Sequence, residues 1–305
     1  IKNTKLVCNG AGAAGIACLE LLKATGFTPE NIIMCDTKGV IYQGRSDGMN
    51  QWKSAFAIKT SARTLADAFE GADVAFGLSV KGAFTPEMIK SMAAKPIIFA
   101  LANPDPEITA EEVAAVRDDA IMATGRSDYP NQVNNILGFP FIFRGALDVR
   151  ASTINMEMKI AAAHALAELA REDVPDEVAR LYGARPKFGP DYIIPVPFDP
   201  RLIFTVPPAV AKAAMDTGVA RKPIVDMDGY RQQLNARRDP IAGTLVQVFA
   251  RLRRQPKRVV FAEGEEEQVI RAAASFVHQG LGTAVLVGRE DRVNAAARDA
   301  GIELS

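Results

Sequence analysis

Leu6-Val7-Cys8-Asn9-Gly10-Ala11-Gly12-Ala13-Ala14-Gly15 is the stretch whose reading decides the fold. An apolar strand runs into a glycine turn, and a small-residue helix follows with Ile16, Ala17, Cys18, Leu19, Leu21 and Leu22. A second apolar run, Ile32-Ile33-Met34-Cys35, ends at Asp36. Strand, glycine turn, helix, strand and acid in this order form the context that makes G-x-G-x-x-G a dinucleotide-binding signal. Gly10 allows the tight turn, Gly12 lets backbone N–H groups approach a pyrophosphate, and Gly15 lets helix and strand pack closely. The helix N-terminus then presents unpaired donors and partial positive charge to the anion. Ala11, Ala13 and Ala14 complete the cofactor loop, and the acid stands about 20 residues past Gly15, where it reaches an adenosine ribose.

The same alternation continues along the chain. Residues 64–69 read as a helix and 72–77 as a strand. Thr85-Pro86-Glu87 starts a helix with Thr as N-cap and Pro in the first turn. Residues 96–101 form a buried strand ending at Asn103-Pro104-Asp105-Pro106, Thr109 opens another helix, and 120–123 is the next strand. This pattern predicts an α/β fold with a doubly wound, Rossmann-type parallel sheet. Its ligands gather at the strand C-termini: Gly10, Asp36, Gly77-Leu78-Ser79, Asn103 and Gly125.

Beyond the sheet, 154–172 reads as a long helix. A proline-rich wrap follows through Pro186, Pro190, Pro195, Pro197, Pro200, Pro207 and Pro208, where regular helix is excluded for much of the length. Only 210–215 is expected to be helical there. A second α/β unit starts near Pro223, with helices over 228–236, 245–253 and 268–279 and strands over 258–262 and 283–287. The expected division is 1–150 for the dinucleotide-binding domain, 151–222 for a helical and proline-rich extension, and 223–305 for the start of a further domain. The chain opens at Ile1 without Met and stops at Ser305 inside that unit, which predicts an interior piece of a longer polypeptide.

Composition sets bounds. With 305 residues and 48% apolar content, two domains have ample core. Lys plus Arg equals Asp plus Glu at 36 each, so no charge excess points to nucleic acid or a membrane surface. No apolar run is long enough to span a bilayer and no signal peptide opens the chain. Cys8, Cys18 and Cys35 fall in the first βαβ core and lack metal-site spacing, which predicts buried free thiols and a cytoplasmic location. His164 and His278 lie in helices and read as structural. The run from Glu263 to Glu267 reads as an acidic first helical turn favoured by the helix dipole, in preference to a metal site.

Three motifs occur in sequence: the glycine loop, Asn103-Pro104-Asp105-Pro106-Glu107, and Gly125-Arg126-Ser127-Asp128-Tyr129-Pro130-Asn131-Gln132-Val133-Asn134-Asn135. Gly138-Phe139-Pro140-Phe141-Ile142-Phe143-Arg144-Gly145-Ala146-Leu147-Asp148 follows them. Together they resemble the nucleotide-binding domain of malic enzymes, specifically the long bacterial type. Pro256-Lys257-Arg258-Val259-Val260-Phe261-Ala262-Glu263-Gly264-Glu265 resembles the start of a phosphate acetyltransferase domain, which that type carries at its C-terminus. The resemblance implies oxidative decarboxylation of (S)-malate to pyruvate and CO₂ with NADP or NAD reduced, assisted by Mg²⁺ or Mn²⁺. It also implies that the acid–base Tyr and Lys and the acidic metal ligands precede the glycine loop, so no catalytic or metal-ligating residue is assigned in this chain. The partners implied are malate, an acetyl-CoA effector at the C-terminal domain, and further copies of the chain in a homo-oligomer.

Some residues keep two readings. The Asn103 amide suits nicotinamide, ribose or substrate carboxylate, or else an Asx turn before proline. Asn134 and Asn135 suit a substrate carboxylate or nicotinamide, as the resemblance implies, or else a helix cap. Ser79 is placed at the cofactor by its strand end. Asp36 by itself favours NAD, because it accepts from ribose hydroxyls and repels a 2′-phosphate. Thr37 and Lys38, with Arg45 and Lys53 nearby, suit that phosphate, and the resemblance favours NADP. A different NAD(P)-dependent dehydrogenase, or an acyl-CoA- or acetyl-phosphate-binding module, stands as the alternative function.

Overall fold

The structure, a computed structural model, describes residues 1–182, 185–236, 248, 251–302 and 304. The chain divides into two compact units, one of Ile1–Glu172, Phe188–Pro197 and Arg201–Asn235, the other of Asp173–Lys187, Phe198–Pro200 and Ala236–Ser305.

The first unit is organised by a six-stranded sheet of β1 (Leu6–Asn9), β2 (Ile32–Asp36), β3 (Gly39–Val40), β4 (Val74–Gly77), β5 (Ile97–Ala100) and β6 (Ile121–Thr124), in the order β3-β2-β1-β4-β5-β6. Five strands run parallel. β3 pairs antiparallel with β2 through Cys35–Val40 and Asp36–Gly39, a two-residue edge that the alternation pattern does not foresee. Side chains alternate between two cores, because successive residues of a strand point to opposite faces. Leu6, Cys8, Ile32 and Met34 pack with Leu19 and Phe56 on one face. Val7, Ile33, Cys35, Ala75 and Ile98 pack with Phe69, Phe84, Ile89 and Val113 on the other. The sheet is thus doubly wound, as the sequence predicts.

The helices start where their caps stand. α1 is Ala13–Ala24 and α2 is Gln51–Ser54, capped by Asn50. α3 (Leu65–Phe69) and α5 (Ala110–Ala114) carry full capping boxes from Thr64–Asp67 and Thr109–Glu112. α4 (Pro86–Ser91) is capped by Thr85 with Pro86 in its first turn. A helical layer follows: α6 (Phe139–Asp148), α7 (Met156–Leu169), α9 (Leu202–Asp216) and α10 (Met227–Ala236), after α8 (Asp176–Tyr182) in the other unit. Leu137, Met158, Leu169, Leu202, Val206, Val210 and Leu234 form the core of this layer.

α9 corrects the sequence expectation. It begins at Leu202 and runs unbroken through Pro207 and Pro208, both buried. Each proline removes one intrahelical N–H, yet the apolar spacing of Leu202, Val206, Val210, Ala211 and Ala214 buries one whole face. Burial of that face outweighs the two missing bonds.

In the second unit, β7 (Lys257–Phe261) pairs parallel with β8 (Gly282–Leu286), flanked by α11 (Glu267–His278) and α12 (Glu290–Asp299). Ile270, Val293 and Ala297 form its small core. The helix expected over 245–253 falls largely outside the described residues, although 251–254 are helical. Among the described residues no helix is long and apolar enough to cross a membrane.

Asn131 ties the proline-rich wrap to the sheet unit. Its buried Nδ2 donates to Met122 O (2.9 Å) and Pro190 O (2.6 Å), and its Oδ1 accepts from Ile193 N (2.8 Å). Its φ of 56° is left-handed. Asn131→Ala loses these bonds and adds strain, so urea denaturation is expected to show a loss of about 3 kcal/mol. Asn131→Gly is expected to recover about 1 kcal/mol of that, the strain alone.

Candidate cofactor site

The crevice forms where the strand order reverses. β1 lies between β2 and β4, so the chain leaves β1 toward one side and leaves β4 toward the other. Ligands of open α/β sheets bind at this switch point. Two glycines fit the loop there. A Cβ at Gly10, whose φ is 132°, would meet Leu78 O at 2.4 Å, and one at Gly15 would meet Gly10 O at 1.9 Å. Gly12 differs, because a Cβ there would meet nothing within 4 Å. Its φ of −86° is open to any residue, so the protein itself does not require glycine at this position. An exposed, side-chain-free approach to the first turn of α1 fits a ligand's pyrophosphate. Gly12 makes no side-chain cap, which leaves the first N–H groups of α1 available. Ala11, Ala13 and Ala14 surround this opening, with Ala13 and Ala14 exposed.

Asp36 sits at the end of β2 and is already engaged. Both of its oxygens accept from Arg45 Nη2 (2.7 and 2.8 Å), Oδ2 also accepts from Lys53 Nζ (2.6 Å), and Oδ1 accepts from Lys38 N (2.9 Å). The Asp36 and Arg45 side chains are only 9% and 5% exposed. Burial alone raises the Asp36 pKa, but the bonds from Lys53, Arg45 and the Lys38 backbone outweigh it and hold the carboxyl below its usual range. Arg45 spends all five N–H donors: Nε on Asp47 O, Nη1 on Gly39 O and Val40 O, and Nη2 on Asp36. Lys53 binds Asp36 and Gly48 O, which leaves one of its three protons. Lys38 is half-exposed and pairs with exposed Asp47, and Thr37 is exposed in the turn.

The other strand ends carry amides and hydroxyls. Ser79 Oγ accepts from Asn9 Nδ2 at 2.8 Å, and Ser79 also contacts the Glu107 carboxylate. Asn103 is exposed beyond β5, and its Oδ1 lies 3.6 Å from where a Cβ of Gly125 would sit, which brings the β5 and β6 ends together. Asn134 Oδ1 caps the following 3-10 turn by accepting from Ile136 N at 3.1 Å, so the capping reading holds for that oxygen. Asn135 is exposed. Arg126 pairs with Asp128 and lies over the Tyr129 ring, whose hydroxyl donates to Glu111 (2.6 Å). Burial and the Glu111 bond raise the Tyr129 pKa. The glycine loop, Asp36, Ser79, Asn103 and the Asn134 segment therefore share one edge of one unit.

His164 and His278 are exposed on α7 and α11, not on the segments that leave the strand ends. Glu265 accepts from Arg289 N and pairs with Arg289 and Arg292, and Glu267 pairs with Arg271 within α11. Among the described residues no three His, Cys, Asp or Glu side chains are grouped as a metal requires. The Cys8 and Cys35 thiols are buried and pushed up to about 12, chiefly by desolvation, and burial also raises Cys18. The sequence does not single out Glu107, which is buried at the same edge against Ser79 and Ala102. It is quoted in the Asn103 motif, but no spacing rule marks a carboxylate that is fully buried.

Known proteins resemble this chain in sequence and fold. The family model described as malic enzyme, NAD binding domain, matches residues 1–184, and that of phosphate acetyl/butaryl transferase matches 244–305. The chain is 71% identical over 99% of its length to the NADP-dependent malic enzyme of Rhizobium meliloti (strain 1021), and 50% identical over its whole length to an NAD-dependent malic enzyme of the same organism. It spans about 40% of the length of each. The crystal structure of Entamoeba histolytica malic enzyme superposes with a TM-score of 0.68 at 32% identity, covering 98% of this chain and 55% of that one.

The Asp36 pairing has a defined pH dependence. Its folded-state pKa lies below the unfolded value, so its contribution is complete above about pH 4 and is lost as pH falls through the lower, folded value. Asp36→Asn leaves Arg45 and Lys53 without their shared anion. At pH 7 a loss of about 3 kcal/mol is expected. Urea midpoints measured from pH 7 to pH 2.5 should show wild type and variant converging toward the acid end.

Proposed function

The chain belongs to the malic enzyme family, and from that premise we propose that it supplies the cofactor half of the oxidative decarboxylation of (S)-malate to pyruvate and CO₂ with reduction of NADP. The observation that carries the cofactor reading is the open, uncapped start of α1 beside Gly12. Gly10 to Gly15 would hold the pyrophosphate, and Ser79 and Asn103 would line the path toward the nicotinamide. NADP, when bound, supplies the hydride acceptor. Asn103, Asn134 and Asn135 would orient malate by hydrogen bonds to its carboxylate. Asn134 keeps only its Nδ2 for that task, since its Oδ1 caps the turn.

Cofactor choice follows from Asp36. An acid whose oxygens are filled by Arg45, Lys53 and Lys38 N is a poor acceptor for ribose hydroxyls, and its charge is neutralised. That supports NADP over NAD. Lys38 and the remaining Lys53 proton would meet the 2′-phosphate with Thr37 beside them, while Arg45 acts as a brace.

We assign the acid–base pair and the ligands of Mg²⁺ or Mn²⁺ to the part of the relatives' length that this chain does not span. The described residues offer no ligand group, so no step is given to a metal held by this chain. The proposed domains are 1–150, 151–222 and 223–305. Exposed Phe139, Phe143 and Leu147, spaced along one side of α6, support a homo-oligomer, and a cytoplasmic location fits the free thiols, of which Cys8 and Cys35 are buried and Cys18 is partly buried. A second reading, favoured by the transferase match over 244–305, gives the last domain an acyl-CoA- or acetyl-phosphate-binding role with acetyl-CoA as effector.

The test is malate-dependent reduction by the full-length protein with Mn²⁺, comparing NADP with NAD. Faster NADP reduction is expected. Lys38→Ala is expected to raise the KM for NADP about tenfold and leave that for NAD near wild type. Asn135→Ala is expected to lower turnover with either cofactor. No malate-dependent reduction with NADP or NAD would overturn the reading.

A further inference from the structure

Glu107 is fully buried at the same edge, and no cation is paired with it among the described residues. Its carboxylate is held by neutral donors alone. Oε1 accepts from Ser79 N (2.7 Å) and, more weakly, from Ser79 Oγ (3.4 Å), while Oε2 accepts from Ala102 N (3.0 Å). Ser79 Oγ in turn accepts from Asn9 Nδ2 at the end of β1. The Glu107 backbone adds a fourth tie, because its carbonyl accepts from Phe84 N at 3.1 Å. One side chain therefore joins the segments that leave β4 and β5, and reaches β1 through Ser79.

The space it fills is reserved. A Cβ at Gly77, the last residue of β4, would lie 2.5 Å from Glu107 Cδ and within 2.8 Å of both carboxylate oxygens. The strand therefore ends in glycine where the carboxylate crosses it. Taking an anion out of water is costly without full hydrogen bonding, and here the donors are supplied by two connections at the strand C-termini. A hydrophobic residue would fill the same space but would leave Ser79 N and Ala102 N unpaired.

We propose that Glu107 is a positioning residue for the dinucleotide crevice, setting the spacing between the Ser79 and Asn103 connections across Gly77. This rests on the cofactor reading above. The clamp acts through Ser79 and Ala102 and does not require Glu107 to touch the cofactor. Its role depends on both oxygens being acceptors. Glutamine has the same shape but only one acceptor oxygen, so whichever way its amide turns, an NH₂ faces a backbone N–H.

The experiment is calorimetric titration of the full-length protein with NADP, repeated with NAD. Glu107→Gln and Gly77→Ala reach the same clamp from opposite sides, so a Gly77→Ala protein serves where Glu107→Gln fails to fold. Asp119→Asn is the control. Asp119 accepts from Arg117 and Lys95 N at the opposite edge of the sheet, so its loss disturbs the same unit without reaching the crevice. The dissociation constant for NADP is expected to rise roughly tenfold in Glu107→Gln and in Gly77→Ala, and to stay within about twofold in Asp119→Asn. Combining Gly77→Ala with Glu107→Ala should weaken binding no more than Glu107→Ala alone, because the added methyl then meets no carboxylate. A folded Glu107→Gln or Gly77→Ala protein that binds NADP like wild type would overturn the proposal, as would an equal loss in Asp119→Asn. Failure of the wild-type protein to bind either dinucleotide would instead overturn the cofactor reading.

Discussion

The position of β1 between β2 and β4 is the constraint on which the site depends. Parallel neighbours on both sides force the chain to depart in opposite directions from adjacent strand ends, and the gap this leaves is a geometric consequence of the order β3-β2-β1-β4-β5-β6. The backbone continues the sheet pairing past the strand ends, with Gly10 N donating to Cys35 O, Leu78 N to Asn9 O, and Leu101 N to Gly77 O. Three connections thus start from one hydrogen-bonded row. The glycine loop, Ser79 and Asn103 all lie on the connections that leave this row.

What was legible in the sequence was local. The glycine loop, the Thr64, Thr85 and Thr109 caps, and the alternation of apolar strands with helices are each written within a few residues. The structure reproduces them because near-neighbour chemistry decides them. The illegible parts depend on distant partners. Nothing near Pro207 and Pro208 announces a helix, because the apolar face that stabilises α9 is completed by α6 and α7. Nothing near Asp36 announces that Arg45 and Lys53, 9 and 17 residues away, fill its oxygens. The acid could be located at a strand end from sequence, but its chemical state could not.

Two carboxylates at this edge solve the same desolvation problem in different ways. Asp36 is paired with two cations and a backbone N–H, which offsets its charge and would let the β2 end accept a phosphate as proposed. Among the described residues Glu107 receives N–H and O–H donors only, and its two oxygens hold the backbone that leaves β4 and β5. Exchanging the two solutions would harm both places. A cation beside Glu107 would compete with Ser79 N and Ala102 N for its oxygens, and an unpaired Asp36 would repel the phosphate. The partners of each acid, more than its presence, therefore decide what the edge can bind. A glycine loop followed by an acid specifies a dinucleotide, whereas choosing among dinucleotides falls to side chains that the loop's own spacing does not include.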